Sequence, residues 1–175
     1  CPTYLGRLPW RTLGVGDLRD HSGERLWYAL SANFHDHPSA PAINSDALGT
    51  LTLHSMNEAT LITAQAIAIV FAPGAALPGQ RRDESVVVCG TTQKNVRRNR
   101  CAANYLDATA NVTNAAAAGP YIAATAAQHF NDQIAVILAG DLMPLLEQRV
   151  ALEARIALLS FWAKSACACY PWADG

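Results

Sequence analysis

The feature that most constrains the fold of this chain is a periodic apolar stretch near its C-terminus, at residues 141–168. Large apolar side chains recur there at steps of three and four residues, the repeat of one helix face. They are Leu142, Leu145, Leu146, Val150, Leu152, Ile156, Leu159 and Trp162, while Glu147, Arg149, Glu153 and Arg155 line other faces. Asp141 can cap this helix, and Pro144 falls in the first turn, where proline is tolerated. The stretch predicts a helix of about 40 Å. Because that is longer than a small sheet needs, one end should protrude or dock on a partner.

Several shorter segments have the length and composition of β-strands. Residues 66–72, "AIAIVFA", are apolar on both faces and predict a central strand covered from both sides. Residues 50–55 and 61–72, joined by a polar connection, predict an antiparallel hairpin. Residues 132–139 predict a further strand, and residues 85–90 a short one.

The segment "ERLWYALSANF" has two interpretations. It could form a helix capped by Ser22 and running to about Phe34, or an alternating strand over residues 25–32. Its aromatic content and the turn at Gly23 favour the strand. By contrast, the first 24 residues are broken by proline and glycine, and residues 91–128 are poor in large apolar side chains. We expect irregular structure in the first of these regions and a long surface excursion in the second.

The overall composition fits one domain, residues 1–175, long enough to bury a core without metals. Alanine accounts for 33 residues, so the effective core is smaller than the 51% hydrophobic content suggests. A net charge of −1 gives no general attraction to nucleic acid or acidic membranes. Because the chain begins at Cys1 rather than methionine, we interpret it as a processed or excised piece of a longer protein.

The five cysteines are Cys1, Cys89, Cys101, Cys167 and Cys169, and none forms the C-x-x-C pair of a zinc ribbon. Cys89 and Cys101 bracket a polar loop that a disulfide could close, with a gain of roughly 3 kcal/mol. Cys167 and Cys169 are too close to bridge comfortably. Four of the five cysteines can pair in fifteen ways, and the sequence does not choose among them. Their number favours an oxidising compartment.

No catalytic or metal-binding motif stands out. The nucleophile elbow, the H-E-x-x-H zinc motif, the phosphate loop and the dinucleotide fingerprint are all absent from the sequence. Residues 35–37, "HDH", are geometrically awkward ligands for one ion, and we interpret them as a surface loop. Asp17, Asp20 and Glu24 lack the calcium-loop spacing and are explained by a polar turn. We therefore predict no catalytic residues, no metal, no cofactor and no enzymatic activity.

A basic run lies between residues 81 and 100. It contains Arg81, Arg82, Lys94, Arg97, Arg98 and Arg100 against Asp83 and Glu84, a local surplus of four positive charges. A basic loop without interleaved aromatic residues is usually a solubilising surface. The alternative is that these six side chains bind nucleic acid or another polyanion.

One phrase of the sequence resembles a known family. "LPWRTLGVGDLRDHSGERLWYAL" (residues 8–30) is similar to the segment of type II secretion pseudopilins and type IV pilin-like proteins in which "D-x-W-G-x-x-x-x-Y" leads into the first strand of the sheet. Asp20, Gly23 and Tyr28 match, and Ser22 replaces the usual tryptophan. "AIAIVFAPGAALPGQRR", "NYLD" and "FNDQIAVILAGDLMPLLEQRV" also look like phrases of proteobacterial prepilin-like proteins.

The resemblance implies the globular head of a prepilin-type subunit, periplasmic or extracellular and anchored to the inner membrane before assembly. The anchor would be an N-terminal apolar helix that residues 1–175 do not contain. The implied partners are other pilin or pseudopilin subunits in a surface filament or secretion pseudopilus, with DNA or a surface ligand as further partners. Together with the strand and helix patterns, it predicts an α+β fold: an antiparallel sheet of about four strands (25–32, 50–55, 61–72, 132–139) packed against the long amphipathic C-terminal helix.

Overall fold

The computed structural model describes residues 5–35, 42–89, 95–166 and 169–171. In these ranges the chain is α+β, as predicted, with an antiparallel four-stranded sheet and one C-terminal helix. The strands are β1 Leu5–Arg7, β2 Trp27–Leu30, β3 Leu51–Ser55, β4 Leu61–Ala66, β5 Ala68–Ala72, β6 Val86–Val88, β7 Asn95–Arg97, β8 Tyr121–Ala123 and β9 Gln133–Ile137, and the helix is α1 Ala139–Lys164.

The four-stranded sheet has the order β1-β2-β5-β9, and all of its neighbours are antiparallel. Its strands are not the four that were predicted: residues 50–55 (β3) belong to the second sheet, and β1 lies in the region that was expected to be irregular. In β2, Trp27 and Ala29 are buried while Tyr28 and Leu30 are half-buried, which is the alternation expected of a strand. This confirms the strand interpretation of the segment after Gly23. β5 lies between β2 and β9, so the prediction of a central strand at 66–72 is confirmed for its second part.

The segment predicted as one strand over 61–72 is divided between two sheets. β4 pairs with β3 in a three-stranded sheet of order β4-β3-β8, so the predicted hairpin is confirmed, while β5 belongs to the first sheet. Ile67 marks the division: its N–H donates to the Ile137 carbonyl, and its own carbonyl accepts from the Ser31 N–H, both at 2.8 Å. The single uninterrupted strand was therefore wrong, because the chain bends from one sheet into the other without losing hydrogen bonds.

One hydrophobic core joins the two sheets. Its buried members are Leu5, Trp27, Ala29, Leu51, Leu53, Ala66, Ile69, Phe71, Tyr105, Leu106 and Tyr121. Phe71 of one sheet meets Tyr121 of the other edge-to-face, with ring centroids 5.2 Å apart. The expected surface excursion over 91–128 was wrong, since Tyr105, Leu106 and Tyr121 of that region are buried. Its large apolar residues are few, but these three fill the core.

Helix α1 begins after Leu138, whose N–H donates to the Asp141 carboxylate at 2.9 Å. Asp141 thus caps the helix from its third residue rather than from the predicted N-cap position, and Pro144 lies in the second turn. Met143 is the buried residue of the helix, while residues 144–164 are all exposed. The predicted packing of the helix against the sheet is therefore not confirmed. Exposed apolar side chains also lie on opposite sides of the helix, so its predicted amphipathic character is not confirmed either.

Candidate functional site

One arginine of the predicted basic site, Arg82, is largely buried and makes its contacts within the protein. The Arg82 guanidinium lies 2.9 Å from the Glu24 carboxylate and donates to the carbonyls of Gly74 and Asn104, also at 2.9 Å. It stacks over the Tyr105 ring at 4.5 Å, and its side chain is only 10% exposed. Arg82 therefore ties three segments of the chain together and has few donors left for a polyanion.

The other basic side chains lie nearer the surface. Arg81 and Arg98 face the Asp83 carboxylate at 3.4 and 3.9 Å, and Arg97 faces Glu84 at 3.3 Å. Hydrogen bonds from Ser85 lower the pKa of Asp83, and the two arginines lower it further. Arg81, Arg97 and Arg100 are exposed, and Lys94 lies outside the described residues. Of the six predicted residues, three are thus described and exposed to a partner.

The predicted disulfide between Cys89 and Cys101 is present, with Cα atoms 5.6 Å apart. Cys101 is buried, and Cys89 directly follows β6, which pairs with β7 in a two-stranded sheet. The bond therefore fastens the hairpin that carries Arg97 to the core. Cys169 is disulfide-bonded as well.

The polar turn at residues 17–24, part of the phrase that resembles pilins, is held by hydrogen bonds within the chain. Asp17 accepts hydrogen bonds from Arg25 and Arg19, which lower its pKa. Asp20 accepts from the N–H groups of Ser22 and Glu24 and, with its other oxygen, from the Gly74 N–H at 2.7 Å. These contacts explain the acidic residues as a polar turn. In the part of the chain that the structure describes, no group of three potential metal ligands occurs; His35 is described, whereas residues 36 and 37 are not.

Two buried aspartates that the sequence did not single out as a site form a carboxylate pair. Asp132 accepts from the Asp107 N–H at 2.8 Å and the Asn114 amide at 2.9 Å, both at Oδ2, while its buried Oδ1 lacks a hydrogen-bond partner. Asp107 accepts from Gln80 at Oδ1 and from the N–H groups of residues 131 and 132 at Oδ2. Burial, followed by repulsion from Asp107, raises the pKa of Asp132 to about 7.

A shallow cleft of about 220 Å³ opens beside Asp107 and is lined by Leu77, Gln80, Leu106 and His129 among others. Both carboxylate oxygens of Asp107 are already occupied by donors of the chain itself. The lining also includes Ala103, Ala108 and Pro78. The hydrogen bonds of the two aspartates join the segments around Gln80, Asn114 and residue 131. Both aspartates lie in phrases quoted for the resemblance, "NYLD" and "FND".

The most extensive exposed feature is helix α1. Its residues 144–164 expose nine large apolar side chains, namely Leu145, Leu146, Val150, Leu152, Ile156, Leu158, Leu159, Phe161 and Trp162. Large exposed apolar patches on folded domains are found at interaction sites and at aggregation-prone surfaces. The regular spacing allowed the helix to be predicted, and its length suggested that one end protrudes.

No family model, curated protein or solved structure matches this chain. Within the described residues, no helix is both long and apolar enough to cross a membrane.

Proposed function

We propose that this chain is the globular head of a pilin-like or pseudopilin-like subunit, whose role is assembly into a surface filament or secretion pseudopilus rather than catalysis. The observation that carries this proposal is the exposure of α1 from residue 144 to residue 164. A structural subunit needs a surface that only its neighbours bury, and a helix of about 30 Å with apolar side chains on several faces has that property.

Three further observations support the proposal. The antiparallel four-stranded sheet and C-terminal helix agree with the α+β class predicted from the strand and helix patterns. The disulfide between Cys89 and Cys101 fits a periplasmic or extracellular location, where such bonds persist. Finally, the matching residue Asp20 holds the turn before β2 by accepting three backbone N–H groups, so the resembling phrase has a clear structural role.

The proposal is tested in cells that produce the full-length gene product. Surface filaments are sheared from the cells and labelled with antibodies raised against residues 1–175, and regular labelling along the filaments is the expected result. A strain lacking the gene is the control. A complete gene without an N-terminal apolar helix, or filaments that carry no label, would contradict the proposal.

The alternative function is a binding module for nucleic acid or another polyanion. It is supported by the exposed side chains of Arg81 and Arg97, which are 68% and 54% exposed. It ranks second because Asp83 and Glu84 face these arginines and because Arg82 is engaged in the interior. A salt-dependent affinity for DNA would support the alternative, but it is also compatible with the pilin-like function, whose implied partners include DNA; the filament labelling distinguishes the two.

A further inference from the structure

The geometry points to a defined partner for helix α1: we propose that a second copy of this chain packs its own α1 antiparallel against the first. The contact centres near Ala151 and uses a stripe formed by Leu145, Leu152, Ile156 and Leu159, here called the leucine stripe. The inference rests on the proposed function, since both assign α1 to contact between subunits. An antiparallel pair closes on itself, so growth of a filament would use other surfaces of the chain.

The leucine stripe has the spacing of a helix–helix seam. Its members follow one another at steps of seven, four and three residues, which keeps them on one side of a helix with 3.6 residues per turn. Each is about half exposed or more, with Leu145 at 65%. Met143, the buried residue of the helix, lies about half a turn away from Leu145. The stripe therefore points away from the side on which the helix meets its own head, where a second copy has room.

The charges beside the stripe select the direction of the partner. Arg149, seven residues before Ile156, lies at one edge of the stripe, and Glu153 lies further round on the same side. The two already form an ion pair at 2.5 Å within the helix. When a second helix is turned antiparallel about position 151, Arg149 of each copy lies level with Glu153 of the other, so both contacts across the interface are attractive. In a parallel pair at equal register, Arg149 would instead lie level with Arg149 of the second copy and Glu153 with its Glu153, so both contacts would be repulsive.

The apolar layers are consistent with the same axis. Antiparallel pairing about position 151 places Leu145 level with position 157 of the second copy, next to Ile156, and Leu159 level with position 143. The two copies of Leu152 are then offset by two residues, about 3 Å, on either side of the axis. The exposed helix is about 30 Å long and about 10 Å wide. Both copies together contribute a footprint of about 600 Å², below the size of standard specific interfaces, so we expect a weak dimer with a dissociation constant of tens of micromolar.

Sedimentation equilibrium of the oxidised 175-residue chain from about 1 to 200 µM tests the dimer. Leu152→Glu brings two carboxylates together at the axis and removes two apolar contacts, so the dissociation constant should rise at least about 100-fold. Val150→Glu is the matched control, because Val150 is 67% exposed on another side of the same helix; its dissociation constant should stay within about threefold of the wild type. A chain that is monomeric at 200 µM, or equal weakening by both variants, overturns the inference.

Two further measurements test the direction. Arg149→Glu should weaken the dimer about tenfold or more, and the double variant Arg149→Glu with Glu153→Arg should restore it. A benzophenone amino acid at position 145 should crosslink to residues 154–158 of the second copy, as mapped by mass spectrometry. A crosslink back to residues near 145, or no restoration by the charge swap, overturns the antiparallel arrangement.

The outcomes separate this inference from the proposed function. Labelled filaments together with a monomeric chain would remove the antiparallel dimer and leave the pilin-like function standing. A dimer with the predicted mutational pattern, combined with a gene that lacks an N-terminal apolar helix, would support the antiparallel dimer and contradict the pilin-like function.

Discussion

The buried carboxyl group of Asp132 should make the stability of this protein fall as the pH rises from acid to neutral. Asp132 is only 1% exposed, and its pKa is raised to about 7 by burial and by the nearby Asp107 carboxylate. In the unfolded chain an aspartate has a pKa of about 3.9. Between these two values the folded protein holds a proton that the unfolded chain has released. Raising the pH therefore favours unfolding in this window.

The size of the effect follows from the difference between the two pKa values. Each pH unit in the window costs about 1.4 kcal/mol, so the contribution of neutral Asp132 falls by about 4 kcal/mol between pH 4 and pH 8. Because other groups titrate too, the useful quantity is the difference between the wild type and Asp132→Asn. The asparagine keeps a carbonyl oxygen to accept from Asp107 and Asn114 and places an uncharged amide where Oδ1 lacks a partner.

Urea unfolding at several pH values, with the disulfides kept oxidised, measures this difference. The two proteins should be nearly equally stable at pH 4, and Asp132→Asn should be the more stable by a margin that grows towards pH 7.5. Asp46→Asn, a change at an exposed loop carboxylate, is the matched control and should show no such trend. A difference that is flat with pH, or a wild type that gains on Asp132→Asn as the pH rises, would refute the reasoning.

Three further predictions concern the basic run and one glycine. Arg82→Ala should lower the free energy of unfolding, measured by urea titration, by about 2 to 4 kcal/mol, because it leaves the Glu24 carboxylate and two carbonyls without a donor. Arg81→Ala, the control, should change the free energy of unfolding by less than about 0.5 kcal/mol in the same titration. If the alternative function holds, fluorescence titration with DNA at two salt concentrations should give an affinity that falls as salt rises. Arg97→Glu should make the affinity less dependent on salt. An affinity independent of salt would contradict the alternative function. Gly49→Ala should lower the free energy of unfolding by about 1 to 3 kcal/mol, since a Cβ atom there would lie 2.0 Å from a backbone carbonyl oxygen. A Cβ atom at Gly16 would meet open space, so Gly16→Ala is the control. Equal melting temperatures of these two variants would contradict this account.

The elements with a strong periodic or compositional signal could be predicted from the sequence. The central position of β5 follows from an apolar run on both faces, and α1 follows from steps of three and four residues. The division of 61–72 could not be predicted, because no glycine or proline marks the bend at Ile67. The three-residue strands β1 and β8 are too short to show a period, so the burial of Tyr121 went unrecognised.

The candidate functional side chains also include some that could be predicted from the sequence and some that could not. The Cys89–Cys101 pair could be suggested from its spacing, and the basic run from its composition. Sequence proximity could not show that Arg82 enters the interior while its neighbour Arg81 remains exposed, since that depends on Glu24 and Tyr105, which are distant in the chain. The Asp107–Asp132 pair likewise joins two loops 25 residues apart, and neither aspartate has a distinguishing local pattern.

The bend at Ile67 has a consequence for how this molecule comes apart. Since β4 and β5 are consecutive pieces of one chain, and the Ile67 backbone still donates to Ile137 and accepts from Ser31, the first sheet cannot open without pulling on the second. The two sheets should behave as one cooperative unit in which backbone amides exchange with solvent through the same global opening. Helix α1 is exposed from residue 144 to residue 164, so its backbone amides should exchange with solvent faster than those of the two sheets. Under the proposed function, the helix could therefore adjust to a neighbouring subunit while the two sheets stay folded.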